Sequence, residues 1–241
     1  MTERTSDPSH DEPDEAPEGF RGQPRYAPEA ERTYANDRIE VTWEPAFCIH
    51  AAECLRGLTA VFDNQRRPWI IVDNGSPGEI GDVVQRCPTG ALHFRRLDGG
   101  PQEPVPEETT VRERPNGPLF VRGNVRIFDQ DHALVRQDTR VALCRCGASA
   151  NKPFCDGSHR KSGFRDEATL RAAESPPPPH PGGRLAIRAR ANGPLMLTGP
   201  LTVVGANDRS AFAESTFLCR CGASENKPYC DGTHKKIGFI A

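Results

Sequence analysis

Cys144-Arg-Cys146-Gly-Ala-Ser149-Ala-Asn-Lys-Pro153-Phe-Cys155-Asp156-Gly-Ser-His159 is the stretch on which the fold turns, because the chain writes it twice. The second copy runs Cys219-Arg-Cys221-Gly-Ala-Ser224-Glu-Asn-Lys-Pro228-Tyr-Cys230-Asp231-Gly-Thr-His234. Each copy supplies three thiols and one imidazole at fixed spacing, so the chain carries two metal sites of one kind. Cys144 and Cys146 stand two apart, which in extended backbone puts both sulfurs on one side. Cys155 and His159 stand four apart, one helical turn, and share a face. Gly147, Pro153 and Gly157 read as turn residues, and Asp156 as the cap that starts a short helix carrying the histidine. Two gripping pairs describe a rhomb of two irons better than one tetrahedral ion, although three cysteines and one histidine also form a common structural zinc set.

The full pattern, Cys-x-Cys, then Ser and Pro, then Cys-Asp-Gly-Ser/Thr-His, resembles the CDGSH (mitoNEET-like) iron-sulfur proteins. The resemblance implies two [2Fe-2S] clusters. Cys144, Cys146, Cys155 and His159 would ligate one, and Cys219, Cys221, Cys230 and His234 the other. Single-copy members pair as homodimers that share a strand cap, so the duplication points to intramolecular pairing of the two modules in a monomer.

The copies extend beyond their ligands. Asn116-Gly-Pro-Leu-Phe-Val precedes one and Asn192-Gly-Pro-Leu-Met-Leu the other, followed by alternating apolar runs: Val125, Ile127 and Leu134, then Leu201, Val203 and Phe212. This predicts a duplicated unit in which small strands support a metal loop. Gly163-Phe164 and Gly238-Phe239 close the copies, the glycine stopping the helix and the ring folding back on the core. A unit this small buries little apolar surface, so cluster and packing between copies complete its stability, and removing iron loosens both.

A third site is expected upstream. Cys48-Ile-His50-Ala-Ala-Glu-Cys54 brings two thiols together, and Cys87-Pro88 follows a helix marked by Ser76 as cap, Pro77 at its first position, Glu79 completing a capping box, and Ile80, Val83 and Val84 on one face. Cysteine followed at once by proline is a habit of bacterial ferredoxin ligands. The segment resembles the divergent single-cluster (4Fe-4S) ferredoxin domain, but with three cysteines. The implied cluster is [3Fe-4S], or [4Fe-4S] with a fourth ligand from elsewhere, for which His50 is the nearest candidate.

The nine cysteines are then all assigned, three to each site. With no export signal in the acidic, Pro-rich opening and no apolar run of membrane-spanning length, a soluble cytoplasmic protein follows. A formal net charge of -2, with no aromatics interleaved among the basic residues, argues against nucleic acid. The organisation predicted is α+β: a disordered N-terminal tail (1–34), a small ferredoxin-like domain (35–97), a linker (98–114), a β-rich CDGSH module (115–167), a Pro-rich linker (168–183) and a second such module (184–241). Arg145, Lys152, Arg160 and Lys161, and likewise Arg220, Lys227, Lys235 and Lys236, read as basic residues that steer a redox partner, tune the clusters or form a solvated face.

A histidine ligand raises a cluster's potential relative to thiolate alone. If it titrates near the surface, the potential falls by up to about 59 mV per pH unit. The function expected is one-electron transfer with a soluble redox partner, and not enzyme catalysis, since no nucleotide loop or activated nucleophile stands in the sequence. The alternatives are a cluster carrier or pH and redox stress sensor, serving an apo-acceptor, and a zinc-stapled interaction module.

Overall fold

The computed structural model describes residues 31–171 and 182–241. The expected tail and Pro-rich spacer therefore fall largely outside the described residues. Within the first domain, β1 (Arg32–Ala35), β2 (Ile39–Trp43) and β3 (Leu92–Arg96) form an antiparallel sheet in that order. The long connection from β2 to β3 carries α1 (Glu53–Gly57) and α2 (Pro77–Val84). α2 starts as its sequence demands: the Ser76 hydroxyl accepts from the Glu79 N–H, the Glu79 carboxylate accepts from the Ser76 N–H at 3.0 Å, and Pro77 opens the first turn. Ile80, Val83 and Val84 then pack with Ile39, Val41 and Phe94.

The two repeats share one six-stranded sheet built from β4 (Thr110–Glu113), β5 (Leu119–Phe128), β6 (Leu134–Leu143), β7 (Arg184–Ala189), β8 (Leu195–Val204) and β9 (Ser210–Leu218). β5–β6 and β8–β9 are antiparallel pairs. β4 pairs antiparallel with β5 of its own repeat and parallel with β8 of the other, while β7 pairs antiparallel with β8 and parallel with β5. β4, β5, β7 and β8 thus close into a ring, each repeat lending its first strand to the other. A lone hairpin is marginal in water, and the exchange pairs the inner edges of β5 and β8, leaving β6 and β9 as the outer strands. Val121, Val125 and Ile127 join Leu197, Leu201 and Val203 in a single core.

Several expectations need correction. β4 lies inside the stretch read as a 98–114 linker, because one short alternation around Val111 does not stand out among Pro and Glu. β1 begins at Arg32, inside the stretch read as tail. Ala168 and Leu170, placed in the second linker, are buried. In β6 and β9 the inward residues are Val135 and Ala211, while Leu134 and Phe212 are only half-buried, a shift of one residue that exchanges faces. Helices are short, so the α+β description holds loosely and the domains are mostly β. Among the described residues no helix is long and apolar enough to cross a membrane.

Candidate metal centres

Each repeat presents its donors as two pairs. Cys144 and Cys219 directly follow the last residues of β6 and β9, and their sulfurs lie 3.9 and 3.7 Å from those of Cys146 and Cys221. Cys155 Sγ and Cys230 Sγ each lie 3.4 Å from Nδ1 of His159 and His234. A tetrahedral edge drawn with metal–sulfur bonds of about 2.3 Å is roughly 3.8 Å, and a little shorter to nitrogen, so each pair is spaced to grip one metal atom. Among the described residues no three Cys, His, Asp or Glu side chains surround a single ion position.

Loop geometry is repeated bond for bond. Cys144 N–H donates to Pro153 O and Cys219 N–H to Pro228 O. Ser149 and Ser224 hydroxyls donate to the carbonyls of Phe154 and Tyr229, both at 2.7 Å. Asp156 does not cap the histidine turn as expected: Gly157 and Gly232 hold that position, and the Asp156 and Asp231 carboxylates accept from the N–H groups of Ser158 and Thr233. The first histidine sits in a 3-10 turn, Ser158–Arg160, and the second in α3 (Thr233–Lys236). Gly163 and Gly238 adopt positive φ, and Phe164 and Phe239 lie under Arg145 and Arg220. Those two arginines are a further correction to the reading of basic residues. Both are buried, each donating through Nε to a carbonyl, Gly117 O and Gly193 O, so they clamp the loops and face no partner.

The donors are unequal electrically. Cys144 is pushed up and Cys146 pulled down to about 6, first because the two sulfurs hydrogen-bond, which favours one thiol and one thiolate. Burial, then the Arg160 charge, lowers His159, favouring the neutral imidazole a metal needs. Glu113 is buried beside Arg145 and raised to about 7 by that burial, while its counterpart in the second repeat is Ala189.

Upstream, Cys48, Cys54 and Cys87 line one cavity of about 30 Å³, which shares Trp43, Cys48, Ala52, Cys54 and Trp69 with a groove of about 590 Å³. Burial first, and then the nearby Cys87 and Cys48, raise Cys54 to about 11. The indole nitrogen of Trp69 is buried there without a hydrogen-bond partner, and that of Trp43 faces the Cys48 sulfur. Three soft sulfur donors and two buried indole N–H groups fit a sulfide-rich cluster better than a bare ion. His50 is exposed and lines the larger groove with Cys48 and Cys54, not the small cavity, and its backbone N–H favours the Cys48 thiolate.

The three donor sets touch in sequence. Ile49 and Ala51, between the upstream cysteines, pack in one cluster with Ala142, Phe120 and Cys155 of the first repeat. The Phe47 ring meets Phe154 edge-on at 4.9 Å. Asn151 Nδ2 donates to Ala46 O at 3.0 Å and Arg160 to Ile49 O at 2.8 Å. Behind this contact, β6 turns charged residues inward: Arg136 grips Glu44 through two bonds of 3.0 Å, and Arg140 donates to the carbonyls of Val84, Cys87 and Leu92. On the other side the two repeat loops meet back to back. A Cβ on Gly147 would lie 2.6 Å from Cys221 O, and one on Gly222 2.9 Å from Cys146 O, so only glycine admits the approach. Adding one Cα step to the Gly147 contact puts the Cα atoms of Cys146 and Cys221 within about 9 Å. Sequence reading missed these junctions. The alternating charges Arg136, Asp138 and Arg140 in a strand were the one signal that a buried polar seam was present.

Comparison with known proteins agrees with this anatomy. Residues 34–97 match the family described as divergent 4Fe-4S mono-cluster, and residues 116–160 and 192–235 each match the iron-binding zinc finger CDGSH type. The protein YjdI of Escherichia coli strain K12, like that of strain O157:H7, is 36% identical over 64 residues, which span 27% of this chain and 84% of YjdI. Three clustered thiols in the matched first domain, and twin Cys-Cys and Cys-His pairs in the matched repeats, place this chain in the family of CDGSH-type iron-sulfur proteins that carry a divergent 4Fe-4S mono-cluster domain.

Proposed function

We propose that the chain is a one-electron transfer protein with two [2Fe-2S] clusters, held by Cys144, Cys146, Cys155 and His159 and by Cys219, Cys221, Cys230 and His234. A third cluster, [4Fe-4S] or [3Fe-4S], is held by Cys48, Cys54 and Cys87. When bound, the clusters supply one-electron exchange. The chain's own residues do the rest: buried arginines stiffen the repeat loops, the ring of strands holds the loops together, and Ile49 and Gly147 close the two junctions. The observation that carries the reading is that contiguity, upstream thiols to Cys155 and Cys146 to Cys221. It suits a linear relay in a monomer, and nine free thiols suit a reducing cytoplasm. Nothing in this role requires an enzyme site. Iron and sulfide counting with electron paramagnetic resonance on anaerobically purified protein tests it. The expectation is visible absorption and three reducible centres, and a colourless zinc protein without labile sulfide refutes it.

One observation favours a cluster carrier as second reading. Cys155 and His159 are buried, whereas Cys230 and His234 are only partly so, which leaves the second site the easier to open. Mixing holo protein with an apo-ferredoxin separates the readings, since transfer of colour to the acceptor supports the carrier.

A further inference from the structure

The duplication lets one repeat report on the other. On the first repeat, the face beside the Cys155–His159 pair is covered: Ala142 is 3% exposed under Ile49. The equivalent position on the second repeat is Phe217, since Cys155 N–H donates to Ala142 O as Cys230 N–H donates to Phe217 O. Phe217 is 45% exposed, and Ile237 and Ile240, which follow the second histidine, are 52% and 80% exposed, three of the five large apolar side chains so exposed among the described residues. Arg165, the counterpart of Ile240, lines the cleft between the upstream domain and the first repeat. The donors that hold the upstream domain, Asn151 and Arg160, correspond to Asn226 and Lys235, both exposed. Ala211, Ala213 and Ser215 replace the Arg136, Asp138 and Arg140 seam, so nothing among the described residues duplicates the intramolecular anchor on this side. An alanine enlarged to phenylalanine and left in solvent marks an interaction surface.

We propose that this face of the second repeat docks a separate small iron-sulfur protein of the mono-cluster kind, seated as residues 46–51 sit on the first repeat. Phe217 packs against the small apolar side chains of the visitor's cluster loop, and Asn226 and Lys235 donate to its backbone carbonyls. The covered face of the first repeat supplies the pattern for this occupant. YjdI, 84% of which is taken up by the 64 matched residues, is too short to hold all three modules and is taken as the free-standing visitor. The inference rests on the redox reading for its purpose and on the pseudo-symmetry for its place.

The test titrates holo full-length chain with holo YjdI under anaerobic conditions and reads affinity by calorimetry, with spectrum and sedimentation recorded in parallel. A 1:1 complex weakened roughly tenfold or more by Phe217→Glu, with the visible spectrum unchanged, supports the proposal. Ile240→Glu, at an 80% exposed site that folding does not depend on, is expected to weaken it too. No complex with a coloured, dithionite-reducible chain overturns the docking and leaves the redox reading standing, whereas a colourless chain overturns the redox reading. Equal affinity in wild type and both variants overturns the location. A homodimer dissolved by Phe217→Glu gives the face to a second copy and overturns the proposed occupant.

Discussion

Replacing Gly147 by alanine probes the junction between the repeat sites, with Gly163→Ala as its control. Both glycines adopt left-handed backbone, φ +78° and +74°. Each alanine therefore incurs the same backbone cost, about 1–2 kcal/mol. They differ in surroundings: nothing lies within 4 Å of a Cβ at Gly163, whereas one at Gly147 meets Cys221 O at 2.6 Å. That oxygen belongs to backbone between two proposed ligands and cannot swing away as a side chain can. Relieving the overlap adds about 1–3 kcal/mol, as overpacking does elsewhere. At this chain length 1 kcal/mol corresponds to about 2–4 °C, so Gly147→Ala is expected to melt roughly 2–12 °C below Gly163→Ala. The assay is anaerobic calorimetry of holo protein, with bleaching of the visible band followed in the same scan. A melting point for Gly147→Ala within about 1 °C of the control would show that the loops do not bear on each other, and the linear arrangement of sites would lose its second junction.

Other perturbations address the remaining seams. Arg136→Ala leaves the Glu44 carboxylate buried without its bidentate partner and is expected to cost about 3–5 kcal/mol in urea unfolding; a loss under about 1 kcal/mol would remove this pair as the anchor between upstream domain and sheet. Burial disfavours charge on His93, but Asp138 and Glu103 outweigh it and raise the imidazole to about 9. The folded value lies above the unfolded one of about 6.5, so roughly 3 kcal/mol is fully present below pH 6.5 and is lost as pH rises through 9. Melting curves from pH 6 to 10 are expected to show that loss, and His93→Gln to flatten it. His159→Cys is expected to slow acid bleaching and lower the potential of the first repeat site, because thiolate replaces a neutral ligand; unchanged acid loss would show that histidine is not the weak ligand.

Much of the site was legible because metal donors cluster by local rules. Cys144 with Cys146, and Cys155 with His159, pair through backbone periodicity alone, and the capping box of α2 is a purely local signal. Arg145 and Arg220 were misread because a charged residue between two ligands looks like surface until its carbonyl partners, Gly117 and Gly193, are seen to come from a different turn. β4 escaped notice because its strand character comes from the neighbours β5 and β8, which lie far along the chain.

The amino-acid order by itself picked out the twin donor pairs of the two repeats, since spacings of two and four residues are set by backbone geometry. Only the tertiary structure decided how the donor sets are ordered in space: upstream thiols against the first repeat, first repeat against second, and the second repeat's outer face uncovered among the described residues. That order depends on strands exchanged between repeats, on Gly147 meeting Cys221 and on Arg136 reaching Glu44 across 92 positions. Contacts over such separations are fixed by the packing of the whole core, which no local pattern encodes.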